Sequence, residues 1–473
     1  MGRFILPLDE QLVFDGVRRI LDSKSFDEFI LNISGPDQRY GRVLWYWGAL
    51  WSYLPYKISG VKGLIFGYRM GLVFIFTIGN WFLVHALLNS FSARILGFLA
   101  LFILPGNVFL MTFPKIEVFV FCSLAFALWV RVQFKNKNQF LVPLSIGVSY
   151  GTKISVLPAS FAFVIKDYLD QRKINHKYFI ILAVGFLLVV PGFILFSAHD
   201  YFNVTYGYIT HGDEDITITP ISWFNLWKNN YFPGSIGSLF LISLVGLIMI
   251  LLYRNYKQFR NPFLLLKNQL FFSVMIGLSQ LLPPFTLKRL SGFYLFVGMN
   301  ILLICFSRYL EIIFVSKNKI KICCGLFWVG ICVGLFSLYY WPEARNQYQY
   351  YGHREQQTEY LSQMKKRQIA LDFIANSKGR SILFDVGFYD LELPEEYIIF
   401  PIYGELTNWD LKPQIIVIRS SLCQEESGIM PPVTSVAFNG CRIARKKHIQ
   451  QIKDNYQLQV VFDDLHIYER ITL

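Results

Sequence analysis

The fold is decided by residues 140–165, which read FLVPLSIGVSYGTKISVLPASFAFVI. The stretch is long enough to cross a bilayer as one helix, but Ser149-Tyr150-Gly151-Thr152-Lys153 interrupts it. Basic residues flank it on both sides, over residues 131–137 and 166–177. Because lysine and arginine collect in cytoplasmic loops, both ends are expected on the same side of a membrane. The pattern favours two short helices in a hairpin with Lys153 near its outer tip; one helix with a satisfied lysine is the alternative.

The composition of the chain is typical of a membrane protein. Of its 473 residues, 54% are hydrophobic and only 16% are charged, and the net charge is +13. These values exclude a disordered chain, a collagen and a disulfide-rich mini-protein, and they disfavour an ordinary soluble enzyme. The basic excess does not require nucleic acid as a partner, because cytoplasmic membrane loops carry such an excess. Membrane lipid is therefore an expected partner and nucleic acid is not.

Apolar runs recur along residues 63–341 and predict an all-α polytopic bundle. There are nine such runs: Gly63–Leu88, Ile95–Phe113, Val118–Val132, Phe140–Ile165, Tyr178–Ala198, Ser235–Tyr253, Leu270–Phe285, Gly292–Cys305 and Ile322–Tyr340. Several reach the roughly 20 residues that a membrane helix needs. Counting the interrupted run as two helices gives ten predicted spans, and residues 63–341 are the predicted transmembrane domain.

The loop charges predict how the bundle is oriented. Loops predicted inside hold 16 basic and 3 acidic residues, whereas loops predicted outside hold 12 of each. This asymmetry follows the positive-inside bias. The outer side then receives residues 1–62, 113–117, 199–233 and 286–290 and the tail 342–473. We expect a multi-pass protein, of the bacterial inner membrane, with its C-terminal domain on the periplasmic side.

The two ends differ from the bundle. Within 1–62, apolar residues recur at helical spacing at Val13, Val17, Ile20 and Leu21. This pattern predicts an amphipathic helix that lies on the membrane surface, and a core helix is the alternative. The aromatic stretch 44–56 suits the membrane interface. The tail 342–473 predicts a small α/β domain, in which a helix over Tyr360–Ala375 precedes five short strands. Its two cysteines, Cys423 and Cys441, could pair or remain free thiols.

Several ionisable groups lie in the predicted outer loops. Asp9 and Glu10 could supply a general base, or Asp9 could cap the following helix. Arg39 lies in a tight loop, where its guanidinium suits a phosphate; a solvated turn is the alternative. Lys115 and Glu117 lie in a short loop at the predicted membrane face.

Two further groups suggest ligands. Lys288 and Arg289 are cations outside, against the positive-inside bias, and would suit an anionic ligand or external lipid headgroups. The sequence His211-Gly212-Asp213-Glu214-Asp215 could hold a divalent metal, although a solvated acidic loop explains it as well. The chain contains no GxxxxGK[ST], GxSxG or HExxH motif, so the sequence shows neither a nucleotide-driven motor nor a recognised hydrolase nucleophile.

The arrangement resembles the GT-C membrane glycosyltransferases, in particular the family 39-like protein O-mannosyltransferases and the lipid A aminoarabinose transferases. The resemblance covers most of residues 1–341 as architecture and rests on four short segments: Asp9-Glu10, Gln38-Arg39-Tyr40-Gly41, Pro114-Lys115-Ile116-Glu117 and Gly151-Thr152-Lys153. It implies an enzyme that transfers a sugar, with inversion, from a polyprenyl-phosphate donor to a hydroxyl acceptor on a glycan, lipid or protein.

The resemblance also implies roles for individual residues. Asp9, with Glu10 beside it, matches the catalytic base, and Glu117 matches a second acid. By position, the candidates for binding the donor phosphate are Lys153, Lys288, Arg289 and Arg39. A cofactor is not implied, and a divalent metal stays open. Family members carry a transmembrane helix before the Asp-Glu loop, whereas eight residues precede Asp9 here, so we expect a misassigned start or a truncated sequence.

Three other functions are compatible with the sequence. A polysaccharide polymerase or O-antigen ligase is also polytopic with a long outer loop, but would use a diphosphate-linked glycan. A secondary transporter often has broken helices at matching positions of two halves, and this chain shows one broken run without a matching one. A non-enzymatic assembly protein is expected if the first helix is truly missing.

Overall fold

The computed structural model is mostly helical. It describes residues 8–34, 43–103, 107, 116–134, 140–171, 176–195, 198–199, 221, 268–281, 296–314, 365–366, 368–370, 372–374, 381–384, 399–401, 414–419, 454–463 and 465–471. The helices are α1 (Leu8–Leu21), α2 (Phe26–Ser34), α3 (Val43–Leu87), α4 (Phe91–Ile103), α5 (Glu117–Phe134), α6 (Leu141–Thr152), α7 (Leu157–Gln171), α8 (His176–Val189), α9 (Gly192–Leu195), α10 (Gln269–Ser279) and α11 (Phe296–Phe314).

The chain divides into two compact units. One takes in residues 16–58 and 63–351, and the other takes in residues 1–15, 59–62 and 352–473. The first unit holds most of the helices, and the second holds a β-sheet. The division falls close to the predicted border between the transmembrane domain and the C-terminal domain, although the functional boundaries of those domains stay predictions.

Helix α3 consists of two antiparallel arms. Its backbone leaves helical geometry at Ser59 and at Gly60, whose φ of +58° favours glycine. The arms, residues 43–58 and 61–87, then pack closely, since a Cβ at Gly63 would collide with the carbonyl oxygen of Pro55. The second arm is the predicted first span, and the aromatic stretch predicted at the interface forms the first arm.

The predicted helix α1 is present, and its apolar face is covered by other parts of the protein. Val17 and Ile20 are buried. A Cβ on Gly16 would collide with the ring of Trp45, and one on Gly48 would touch Val17, so α1 packs against the first arm of α3. The apolar stripe that predicted a surface-lying helix therefore packs on protein. Sequence periodicity alone does not separate a lipid-facing stripe from a protein-facing one.

The interrupted stretch folds as the predicted hairpin. Helix α6 ends at Thr152, Lys153 is extended, and a short 3-10 turn over Ile154–Val156 leads into α7. Lys153 lies beside Glu117, where α5 begins, while Asp167 of α7 pairs with Arg131, where α5 ends. Both flanks of the hairpin therefore lie at the same end of α5, as the basic flanks predicted.

The second arm of α3, α5 and α11 run parallel. The rings of Phe82 and Phe126 lie 4.9 Å apart, and a Cβ on Gly79 would touch Cys122. The rings of Phe76 and Phe296 lie 5.8 Å apart. Further along, Glu311 of α11 accepts hydrogen bonds from the backbone amides of Asn89 and Ser90, which follow α3. These contacts align the three helices around one aromatic core.

Two helices in the described part are long and apolar enough to cross a membrane, α3 and α5. Five shorter apolar helices accompany them: Phe91–Phe102, Leu141–Thr152, His176–Val189, Gln269–Ser279 and Phe296–Arg308. The predicted runs at 235–253 and 322–340 lie outside the described residues. The number of ten spans therefore stays a prediction.

The five predicted strands of the tail are confirmed. They are β1 (Ile382–Phe384), β2 (Ile399–Pro401), β3 (Ile415–Arg419), β4 (Tyr456–Phe462) and β5 (Leu465–Arg470). They form one sheet in the order β2-β1-β3-β5-β4, parallel through β3 and antiparallel beyond it. Helical residues between 365 and 374 pack Ala370 and Ile374 against this sheet. Cys423 and Cys441 lie outside the described residues.

Candidate functional site

A buried ion pair lies at the tip of the hairpin. Glu117 is in the first turn of α5, and Lys153 occupies the extended position between α6 and the 3-10 turn. The Lys153 ammonium donates a hydrogen bond to Glu117 Oε1, and the two side chains are only 6% and 3% exposed. Burying two charges is costly unless they are paired. The chain therefore holds a charged pair where an apolar one would serve packing better, which favours a functional role.

The second carboxylate oxygen of Glu117 is also buried. This atom, Oε2, makes no hydrogen bond to the residues that the structure describes. A buried carboxylate oxygen is expensive to leave unsatisfied. As far as the described residues go, Glu117 thus has hydrogen-bonding capacity left for a further donor, such as a hydroxyl.

Three serines fix the position of this pair. The Ser149 hydroxyl lies 2.5 Å from the Ser123 hydroxyl, and Ser145 Oγ donates to the Ser123 carbonyl at 2.6 Å. These small polar side chains let α5 and α6 approach closely and join them by hydrogen bonds, as is common between membrane helices. Glu117 and Lys153 therefore lie on two helices that hydrogen bonds hold together.

The pair lies at one end of the helical bundle. From Glu117, α5 continues to Arg131, a rise of about 21 Å at 1.5 Å per residue. That other end carries a separate polar cluster, in which Asp167 pairs with Arg131 and accepts a hydrogen bond from Tyr178 at 2.9 Å. The separation is about two-thirds of the roughly 30 Å thickness of a hydrocarbon core, and the two clusters lie at opposite ends of this predicted span.

For the remaining predicted site residues, the structure describes at most the backbone. Asp9 and Glu10 fall in the first turn of α1, but their side chains lie outside the described residues. Arg39, Lys288 and Arg289 lie outside them as well. Of the predicted set, the structure thus brings together Glu117 and Lys153. The functional roles of all seven residues stay predictions.

The sequence suggests a possible divalent metal site at residues 211–215. His211 and the acidic residues 213–215 lie outside the described residues. Within the described ranges, no group of three or more His, Cys, Asp or Glu side chains is placed to hold a metal ion.

One charged residue in the bundle was not singled out from the sequence. Arg69 lies in the second arm of α3, within the apolar run 63–88, and it is half-buried. An arginine inside a predicted span is a signal in its own right, because charge within the bilayer is costly and usually functional.

The helical bundle with its broken hairpin, joined in one chain to an α/β unit, has a GT-C-like fold. Among solved structures it is similar to the crystal structure of ArnT from Cupriavidus metallidurans in the apo state. The TM-score is 0.56 and the identity 11%, over 100% of this chain and 94% of that chain. No protein-family model matches the sequence, and no curated protein does. At this identity, the similarity shows the fold alone.

Proposed function

We propose that the protein is an integral-membrane glycosyltransferase of the GT-C type, which moves a sugar from a polyprenyl-phosphate donor to a hydroxyl acceptor at the outer face of the membrane. The observation that carries this proposal is the buried Glu117–Lys153 pair at the hairpin tip, at one end of a GT-C-like bundle. A charged pair that is buried in this way is expected to bind a polar ligand, because packing of the helices alone would not require charged side chains.

The reaction can be written with the groups that the chain offers. Asp9, at the start of α1, takes the proton of the acceptor hydroxyl, and Glu10 lies next to it in sequence. The acceptor oxygen attacks the anomeric carbon from the face opposite the phosphate. The bond from that carbon to the phosphate oxygen breaks, and polyprenyl phosphate leaves with the electron pair. One such displacement inverts the anomeric centre.

Cations stabilise the charge that develops on the leaving phosphate. Lys153 is the described cation proposed for this task, with Lys288, Arg289 and Arg39 as further candidates from the sequence. Because Glu117 holds the Lys153 ammonium in place, Lys153 donates from a fixed position and loses little entropy when the phosphate binds. Glu117 then orients Lys153, and its second oxygen can accept a hydrogen bond from the sugar.

The location of the site also follows from this chemistry. A lipid carries the sugar across the membrane as its phosphate ester and presents it at the outer side. We therefore place Glu117, Lys153 and the C-terminal unit on the periplasmic side of the inner membrane, with a glycan, lipid or protein as the acceptor. Residues 63–341 serve as the transmembrane domain and 342–473 as the outer domain.

The test is a transfer assay with purified protein in lipid nanodiscs. Polyprenyl-phosphate sugars carrying a radiolabel are supplied with envelope glycans, lipids and proteins as acceptors. We expect label in one acceptor class with the wild type and a loss of about a hundredfold or more with Asp9→Asn, since general bases contribute about 10²–10⁴-fold. Asp27→Asn, an exposed acid in the first turn of α2, is the matched control. Equal transfer by Asp9→Asn and wild type would remove Asp9 as the base.

A further inference from the structure

Three asparagines lie in the interior of the helical bundle. Asn80 belongs to the second arm of α3, Asn107 follows α4, and Asn300 belongs to α11. All three are fully buried, with exposed fractions of 0%. A side-chain amide in apolar surroundings is costly unless its polar atoms find hydrogen-bond partners. The three amides are therefore expected to have partners.

Asn107 and Asn300 are joined to each other. The Asn107 Nδ2 group donates to the Asn300 Oδ1 atom and to the Leu101 carbonyl oxygen, each at 2.6 Å. These two bonds use both of its hydrogens. Within the described ranges, the Asn107 Oδ1 atom and the Asn300 Nδ2 group make no hydrogen bond. One acceptor and one donor group thus remain open on this pair.

Helices α3 and α11 approach each other at two levels. At the first level, the rings of Phe76 and Phe296 lie 5.8 Å apart. At the second, Val84 and Ile304 meet at Gly97 of α4, since a Cβ on this glycine would lie 3.6 Å from Val84 and 3.2 Å from Ile304. Because the two helices run parallel, the stripe from Phe76 to Val84 faces the stripe from Phe296 to Ile304.

Asn80 faces Asn300 midway between these two levels. It lies four residues after Phe76 and four before Val84, on the same stripe of α3. Asn300 has the same two spacings from the contacting residues of α11. Neither polar atom of the Asn80 amide, Nδ2 or Oδ1, bonds to any residue that the structure describes. The open groups of Asn80 therefore lie on the side of α3 that faces the Asn107–Asn300 pair.

The asparagines lie between the two charged clusters of the bundle. A Cβ on Gly79, next to Asn80, would lie 3.0 Å from the Cα atom of Cys122 in α5. Cys122 lies five residues after Glu117 and nine before Arg131. At 1.5 Å per residue, this level is about 7–8 Å inward of Glu117. It falls within the predicted hydrocarbon region, where lipid offers no hydrogen bonds.

The open groups determine the kind of ligand that fits. They comprise two N–H donor groups, on Asn80 and Asn300, and two carbonyl oxygens, on Asn80 and Asn107. A metal cation would bind the oxygens and be repelled by the amide hydrogens, whereas an anion would be repelled by the oxygens. A water molecule both donates and accepts hydrogen bonds, and buried waters typically make about three bonds to groups of this kind. Water is therefore the ligand that matches the mixed set.

We propose that Asn80, Asn107 and Asn300 form a buried water-binding site, in which ordered water joins α3 to α11 and to the chain after α4. The site lies apart from the Glu117–Lys153 pair, and the inference goes beyond the proposed function without depending on it. Water bound there supplies hydrogen bonds that neither lipid nor the surrounding apolar side chains can supply. It holds the three parts of the bundle together by polar contacts, as polar side chains do between membrane helices.

The first test is a cryo-EM structure of the wild type in a lipid nanodisc, at a resolution that shows ordered water. We expect density for at least one water within about 2.7–3.2 Å of the Asn80 amide and of an open atom of Asn107 or Asn300. Absence of such density would overturn the proposal, whether or not the Asn80 amide bonds directly to the other two side chains.

The second test is the melting temperature of Asn80→Leu, in which an apolar side chain of similar size replaces the amide. This variant loses the bonds of Asn80 to the water, so we expect the melting temperature to fall by about 2 °C or more. Thr77→Val is the matched control, because the Thr77 hydroxyl donates within the same helix to the Val73 carbonyl oxygen at 2.7 Å, and it should change little. An unchanged or higher melting temperature for Asn80→Leu would show that the amide had no partner and would overturn the proposal.

A third measurement separates water from an ion. The melting temperatures of the wild type and of Asn80→Leu are compared in sodium chloride, choline chloride and sodium gluconate at equal concentration. We expect the difference between the two proteins to be the same in all three salts, because water fills the site in each. A stabilisation by sodium or by chloride that Asn80→Leu abolishes would assign an ion to the site and overturn the proposal.

Discussion

The ammonium group of Lys153 lies against the carboxylate of Glu117, and both side chains are buried. The two residues are far apart in the sequence and meet because α6 runs back along α5 and ends level with the first residue of that helix. The break at Lys153 therefore does two things. It reverses the chain, and it delivers a cation to the end of the bundle where the proposed reaction takes place.

Replacing either partner of this pair should destabilise the folded protein. Lys153→Met leaves Glu117 charged and buried, so we expect the free energy of unfolding to fall by about 3–5 kcal/mol. In the double variant Lys153→Met/Glu117→Gln no buried charge is left without its partner, and the loss should be smaller than for Lys153→Met alone. A denaturing-detergent titration followed by circular dichroism measures both. Additive losses in the double variant would show that the two side chains are not coupled.

The contact of α6 with α8 depends on glycine. A Cβ on Gly147 would collide with the carbonyl oxygen of Leu182, and backbone cannot move aside as a side chain can. We expect Gly147→Ala to destabilise the protein by about 1–3 kcal/mol. Gly97→Ala is the matched control, because a Cβ there meets only side-chain methyl groups of Leu88, Val84 and Ile304. Equal melting temperatures for the two variants would contradict the close packing of α6 and α8.

In the polar cluster at the other end of α5, replacing each of the two acids should lower the free energy of unfolding by a different amount. Asp167 is 8% exposed and contacts both Arg131 and Tyr178. Asp170 pairs with Arg131 as well but is 34% exposed. We expect Asp167→Asn to cost about 3–5 kcal/mol of unfolding free energy, and Asp170→Asn to cost less than about 1 kcal/mol. The same detergent titration compares the two variants. A larger loss for Asp170→Asn than for Asp167→Asn would contradict the conclusion that Asp167 is the more buried partner of Arg131.

The hairpin predicts that its two flanks lie on the same side of the membrane. Gln133 and His176 are exposed residues near these flanks, and each can be changed to cysteine in a chain whose seven native cysteines are replaced. In intact cells, an impermeant maleimide should label neither Gln133→Cys nor His176→Cys, and a permeant one should label both. Labelling of one position only from outside would contradict the hairpin topology.

Local sequence signals were sufficient for the elements but not for their contacts. The polar break before Lys153 and the basic flanks predicted the hairpin, because both are properties of neighbouring residues. The five strands of the tail followed from short apolar runs in the same way. The resemblance predicted that Glu117 and Lys153 lie in one site. The direct ion pair between them depends on the relative levels of two helices, which no local signal provides.

Two features that the sequence left open or did not signal have physical explanations. The stripe that includes Val17 and Ile20 has the same period whether lipid or protein covers it, and the neighbouring Trp45 decided in favour of protein. Arg69 was overlooked because one charge hardly changes the hydropathy of a long apolar run.

The most direct test of the proposed donor site is a cryo-EM structure of the protein in a lipid nanodisc with undecaprenyl phosphate. We expect density for the phosphate at the end of the bundle that holds Glu117 and Lys153, within hydrogen-bond distance of the Lys153 ammonium. Phosphate density at the opposite end, beside Arg131 and Asp167, would contradict the proposal.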